Sequence, residues 1–456
     1  MGWLSSALAS GRRPWALFAG SALVAFAALA GAGLERGDPP AGAQAAHDPL
    51  STLKAKFGRP SFLPSPGANA PTADKVALGQ RLFFDKEISA SGSIACASCH
   101  DPKLAFSDGE PHGRGISGRR LRRHTPTLWN LAWSPLLFWD GRAGSLEAQV
   151  RFPVEHPDEM GDSLENAVLR LSRHDSYGRA FAAAFPDDPK INAGNVSLAL
   201  AAYERTLVSP PTRFDAWIAG DAAAFSEAEL RGFRIFTGKG RCSNCHHGFA
   251  LTDNNFYDIG LPGEDKGRGA VIGLAAADYA FKTPTLRELA WTAPYMHDGS
   301  LATLEDVVRH YEAGGVTRPS RSRDLPQQLR LSPGERADLI AFLETLSSDK
   351  PPEASREAWV GNVASAPLPA AANTRRISQV DKKFAPAHVR LKAGEALTVL
   401  NDDTRTHNVR VFDPRFDFNS GAQEPREAIT LRFPVTGRFE AFCGIHPAMR
   451  LTVEVE

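Results

Sequence analysis

Two stretches of this sequence place a pair of thiols beside an imidazole: Cys96-Ala-Ser-Cys99-His100 and Cys242-Ser-Asn-Cys245-His246. Two thiols one helical turn apart can form thioethers with the vinyl groups of a porphyrin, and the adjacent histidine can reach its iron. A redox dithiol or half of a zinc site would use the same CxxC, but neither motif is accompanied by a second zinc-type pair. The spacing therefore predicts two covalently attached c-type haems, with His100 and His246 on the irons. The fifth cysteine opens Cys443-Gly-Ile-His446-Pro-Ala-Met449, and His407 lies upstream in Thr406-His-Asn-Val409. One thiolate, two imidazoles and a weak axial thioether are the ligand set of a blue copper site.

The elements that must hold the two haem motifs are copies of one unit. Gly79-Gln-Arg-Leu-Phe83 precedes the first motif and Gly232-Phe-Arg-Ile-Phe236 the second, each read as a helix leading into its loop. Downstream, TPTLWNLAWSPLLFWDGRAGSLEAQV from Thr125 aligns without gaps to TPTLRELAWTAPYMHDGSLATLEDVV from Thr283. The alignment pairs Trp139 with His297, Gly141 with Gly299 and Pro153 with Tyr311. Residues 304 to 313 read as a helix capped by Thr303 and stopped by Gly314-Gly315, with Leu304, Val307, Val308 and Tyr311 on one face. Tyr311 thus points inward, as a core aromatic or as a ligand. Pro153 has no side-chain donor, so whatever ligates the second iron from Tyr311 has no counterpart at the first.

With both CxxCH motifs, FWDGR at Phe138 to Arg142, Gln149, Glu159 and YMHDG at Tyr295 to Gly299 in order, residues 47 to 350 resemble the bacterial di-haem cytochrome c peroxidases, and within them the MauG-like branch. The resemblance implies a peroxide site at the first haem, electron storage at the second and a tryptophan relay between them. Trp139 matches the relay; by type alone it would be a core aromatic. Gln149 and Glu159 match the distal pair, and Tyr311 falls where peroxidases carry an axial methionine and MauG an axial tyrosine. Two departures stand out. The stretch from Gly113 to Gly118 lacks the distal histidine of many resting peroxidases, leaving His112 nearby as the alternative. The family's calcium site is matched at the carbonyl positions Thr292 and Pro294, but its asparagine position is His124, a poor ligand for a hard cation. Calcium is left open.

Beyond residue 350 the composition turns to Pro and Ala and reads as a linker over 351 to 375. Short alternating runs then follow, His388 to Leu391, Ala396 to Leu400, Ile429 to Phe433 and Leu451 to Val455, as in a small β-sandwich. From Ser378 to Glu456 the segment resembles the amicyanin-like cupredoxins, with His407, Cys443, His446 and Met449 matching the copper ligands in identity and order.

The expected architecture is multidomain: two mainly α-helical cytochrome c-type haem domains, 47–215 and 216–350, followed by an all-β cupredoxin sandwich over 376–456. Arg12 and Arg13 precede an apolar run from Pro14 to Leu34, so residues 1–46 read as an export signal or an uncleaved membrane anchor, with cleavage near Ala43 to Ala46 favoured. That places the protein in the periplasm. Lys plus Arg and Asp plus Glu both number 52, so no global charge steers the chain to nucleic acid. Three functions fit. The first is reduction of hydrogen peroxide at the first haem, with electrons passed through the second haem and the copper domain from a small cytochrome c or cupredoxin donor. The second is MauG-like modification of a partner protein with peroxide-derived oxidising equivalents. The third is electron transfer alone.

Overall fold

The computed structural model describes residues 49–456 apart from 67–68, 327–328, 352–361, 364–373, 414 and 421. The export segment read over 1–46 and most of the linker lie outside the described residues. No helix among the described residues is long and apolar enough to cross a membrane.

The duplication inferred from the alignment is present in the backbone. In the first unit the Ala73–Phe83 helix crosses Ala193–Arg205; in the second, Glu227–Thr237 crosses Pro333–Glu344. Each crossing is close because a glycine sits at the contact. A Cβ on Gly79 would lie 2.0 Å from the Ala199 carbonyl oxygen, and one on Gly232 would lie 2.0 Å from that of Asp338. Each motif then forms a single 3₁₀ turn, Cys96–Ser98 and Cys242–Asn244. Further on, Leu131–Trp133 and Leu289–Trp291 repeat the same turn after left-handed residues Asn130 and Glu288. Phe138 and Met296, and Gly141 and Gly299, repeat the left-handed backbone of the next turn.

The copies diverge where the alignment says they must. Thr303 caps the Leu304–Ala313 helix, its hydroxyl accepting from the Asp306 N–H, and Gly314 ends it at φ +81°. Ser145 caps the matching helix in the same way, but that helix covers only Leu146–Gln149 before Arg151–Glu155 continues around Pro153. A proline inside a helix removes a backbone donor and crowds the preceding turn.

Two apolar cores follow the two units, with one exchange the alignment does not foresee. Leu50 and Leu53 of the Pro49–Ala55 helix, with fully buried Phe57, pack into the second unit's core beside Phe214 and Phe233. The C-terminal segment is a two-layer β-sandwich resembling the cupredoxins. One sheet runs Phe416–Asn419, Arg410–Asp413, Gly437–Phe442, Arg450–Val455, His388–Leu391; the other runs Ala428–Arg432, Ala396–Asn401, Arg376–Val380, Lys383–Ala385. Its core takes in Ala277, with Ile272 and Leu274 packed against it, all from the second haem unit.

Candidate haem and copper sites

Both CxxCH motifs open onto one cavity of about 790 Å³, lined by Cys96, Cys99 and His100 at one end and by Cys242, Cys245 and His246 at the other. The imidazoles are oriented alike. His100 directs Nδ1 at the Phe106 carbonyl oxygen, 2.9 Å away, and His246 directs its own at that of Leu251, 3.0 Å away. A carbonyl fixes the proton on Nδ1 and leaves the Nε2 lone pair for a metal. Burial also holds both rings below the usual histidine range, hence neutral. The cavity wall carries buried polar atoms without a protein partner, Trp129 Nε1, Gln149 Oε1 and Glu204 Oε2. Such atoms call for a further group in the space they face. The residues therefore fit two c-type haems held by thioethers at the four cysteines.

Trp139, Gln149, Glu159 and Tyr311 all line this cavity. The Trp139 indole N–H donates to the His124 carbonyl at 2.9 Å, and its own carbonyl accepts from the Lys282 N–H at 2.8 Å. Burial raises the Glu159 pKa above the usual carboxylate range, opposed in part by His156 and Arg142. The Glu159 backbone is pinned by the Ile116 N–H on its carbonyl, 2.7 Å, while a Cβ on Gly115 would meet the Asp158 oxygen at 1.8 Å. The Gly113 to Gly118 stretch is thus the seat of Glu159. His112 is half-buried and does not line the cavity. Burial raises the Tyr311 phenol, which lines the same cavity as Cys242 and Cys245.

Calcium does not fit. The His124 ring gives Nδ1 to the Glu110 carbonyl at 2.8 Å and Nε2 to the Ser107 hydroxyl at 3.4 Å. Its nitrogens are already engaged, and a hard cation wants oxygen ligands. Thr292 and Pro294 line the haem cavity instead.

The copper ligands predicted from sequence come together. His407 Nδ1, Cys443 Sγ and His446 Nδ1 stand 3.7, 3.8 and 3.0 Å apart, all buried. Met449 is buried beside them, its N–H donating to the His446 carbonyl. The backbone N–H groups of Asn408 and His446 point at the sulfur, 3.5 and 3.4 Å away, and Asp403 holds His407 Nε2 at 3.1 Å. A trigonal N₂S set with an oriented second shell fits type 1 copper.

Sequence reasoning did not foresee the seat of this loop. The Phe256 N–H donates to the Ile445 carbonyl at 3.4 Å, and buried Arg268 donates from Nε to Gly444 O at 2.7 Å and from Nη1 to Gly141 O at 2.8 Å. Gly141, at φ +68°, admits this packing; a Cβ there would meet the Phe256 ring at 2.3 Å and Arg268 Nη1 at 3.0 Å. Lys382 of the sandwich donates to the Tyr257 hydroxyl at 2.6 Å and pairs with Asp324 at 3.0 Å. Arg405 also pairs with Asp324, and with Asp403 at 3.0 Å.

Fold and sites together define a di-haem c-type cytochrome carrying a cupredoxin-like sandwich. Residues 73–223 match the family described as di-haem cytochrome c peroxidase. The methylamine utilization protein MauG of Methylorubrum extorquens is 48% identical over 310 residues, covering 67% of this chain and 88% of that protein. The cytochrome c551 peroxidase of Nitrosomonas europaea is 34% identical over 317 residues, 68% of this chain and 87% of that one. A solved MauG-like protein associated with microbial copper homeostasis superposes with a TM-score of 0.59 at 32% identity, over 63% of this chain and 93% of its own. The chain belongs to the di-haem cytochrome c peroxidase/MauG family.

Proposed function

We propose that this chain reduces hydrogen peroxide to water at the His100 site, drawing electrons by way of the second haem site and the fused copper site. When bound, haem and copper supply the one-electron chemistry and the open coordination position that side chains lack. The observation that carries the reading is that Glu159 and Gln149, the latter with its Oε1 unpartnered, both line the cavity in the unit whose Pro153 offers no ligand.

There, Glu159 takes a proton from one peroxide oxygen and returns it to the other, a role its raised pKa suits. Gln149 orients the peroxide or a water, and Trp139 is the relay residue of the shared wall. Peroxide takes up two electrons and two protons and leaves as two waters. We place the protein in the periplasm, with a small cytochrome c or cupredoxin as external donor.

A second reading, modification of a partner protein with peroxide-derived oxidising equivalents, draws support from Tyr311 on the wall of the cavity that Cys242 and Cys245 also line. Steady-state peroxide turnover with a reduced cupredoxin or cytochrome c donor separates the two. Fast turnover that consumes two donor electrons per peroxide is expected. Slow turnover with either donor, beside oxidation of an added protein, would overturn the peroxidase reading.

A further inference from the structure

The histidine edge of a blue copper site is ordinarily the face offered to a redox partner, yet His446 is only 5% exposed in this chain. Beside it stands Tyr257 of the second haem unit, its ring centroid 6.4 Å from that of His446. Tyr257 is itself 6% exposed. On its other side Tyr257 lines the haem cavity together with Cys245, one of the haem-attaching thiols, and Asp253, which accepts from the Tyr257 hydroxyl, donates its backbone N–H to the Cys245 carbonyl at 2.8 Å. One aromatic residue thus touches the surroundings of both metal sites.

Its position is fixed from both sides. The hydroxyl donates to Asp253 Oδ2 at 2.5 Å and accepts from Lys382 Nζ at 2.6 Å, and the Lys382 ammonium stands 4.8 Å from the ring centroid. Through Asp324, Arg405 and Asp403 the same network ends on His407, the other copper histidine. Buried, fully partnered polar networks select one geometry rather than an ensemble.

We infer that Tyr257 is the electronic bridge between the copper cradle and the second haem site, and that the copper edge serves this chain's own haem unit rather than a diffusing partner. The inference rests on the reading that His407, Cys443, His446 and Met449 hold copper and that Cys242, Cys245 and His246 hold haem. Electronic coupling falls steeply with each through-space gap. A ring seated between the His446 imidazole and the wall of the haem cavity breaks one long gap into shorter ones.

The test is one-electron pulse reduction of the fully oxidised holoprotein, following re-equilibration between the Cu(II)–thiolate band and the haem bands. In that exchange one electron leaves Cu(I) or ferrous haem and reduces the other centre; no bond changes and no proton moves. Wild type should show a fast phase whose rate is independent of protein concentration. Tyr257→Leu should lose that phase, while Tyr257→Phe and Tyr257→Trp, which keep a ring, should retain most of it. Lys382→Gln breaks the same hydrogen-bond network without removing the ring and should also retain it.

Hydrogen exchange of residues 443–446 reports in each variant whether the copper loop is still seated. Loss of the phase in Lys382→Gln with the loop seated, or a wild-type rate in Tyr257→Leu, would overturn the bridge. If Tyr257→Leu unseats the loop, Tyr257→Phe decides, and a phase lost there with the loop seated also overturns it. Absence of any intramolecular phase in wild type would sink the underlying copper-routing reading instead.

Discussion

Glu159 is held by its backbone, through Ile116 and the tight seat of Gly115, while its carboxyl lines the haem cavity. A carboxylate placed this way acts as a base only once deprotonated. Because burial raises its pKa, peroxide turnover should rise with pH through a midpoint above the ordinary carboxylate range. Glu159→Gln should abolish that limb and lower kcat by about 10²–10⁴, with the haem spectra unchanged. Resting ferric protein should show one high-spin and one low-spin haem by electron paramagnetic resonance, since His112 is off the cavity wall. Tyr311→Phe should shift the low-spin signal; an unaltered signal would return Tyr311 to a packing role. Glu204 offers a separate check. It is 5% exposed, and burial raises its pKa to about 8. The folded chain therefore binds more protons there than the unfolded chain between about pH 4.5 and 8. Stability should fall as pH rises through that window, by a few kcal/mol at most, and Glu204→Gln should flatten the dependence in thermal melts.

At the scale of elements, the two helix crossings make the duplication a statement about energy. Gly79 and Gly232 occupy matching places, and at each a methyl group would press into a backbone carbonyl 2.0 Å away, which only movement of the helices can relieve. Gly79→Ala and Gly232→Ala should each destabilise the chain by about 1–3 kcal/mol or more, against the small gain Ala brings to an ordinary helix interior. Denaturant midpoints would measure it. These elements were legible because their signals are local. The Thr303 cap, the Gly314 stop, the CxxCH turns and the inward Tyr311 each follow from residues within a turn or two of one another. The copper ligands were legible as well, three of them falling within Cys443 to Met449. The seat of the copper loop was not. Tyr257, Arg268 and Asp324 are a common aromatic and two common charges, and their partners Lys382, Gly444 and Arg405 lie more than 80 residues away with no periodicity to connect them. Phe57 in the second core escaped for the same reason. The raised pKa values of Glu159 and Glu204 come from burial, which no spacing records.

For the whole molecule, the seat of the copper loop changes what the connecting stretch has to do. A Pro- and Ala-rich linker between mobile parts would serve to keep them at high effective concentration. Arg268, Tyr257 and the Lys382–Asp324–Arg405 network supply a fixed contact instead. Cleavage at a protease site introduced within 364–373 should therefore leave the two fragments co-eluting, with the blue band and its electron exchange intact. Separation of the fragments on dilution at moderate salt would restore the tether to its larger role. High salt should weaken the exposed part of the network more than the buried Arg268 contacts.

The contact at Gly141 also decides how portable the copper module is. At that point the Trp139 turn, the Phe256 ring and the Arg268 guanidinium meet with no room for a side chain. The guanidinium reaches Gly444 through a backbone carbonyl, which any loop of the same conformation would present. Tyr257 and Asp324, by contrast, need cations at 382 and 405. A foreign blue-copper domain spliced behind residue 375 would bring the loop but not those two side chains. The smallest transplantable unit is thus the Cys443–His446 loop together with Lys382 and Arg405, and a chimera lacking both cations would be held to the haem domains by the loop contacts alone and should part from them more readily on dilution.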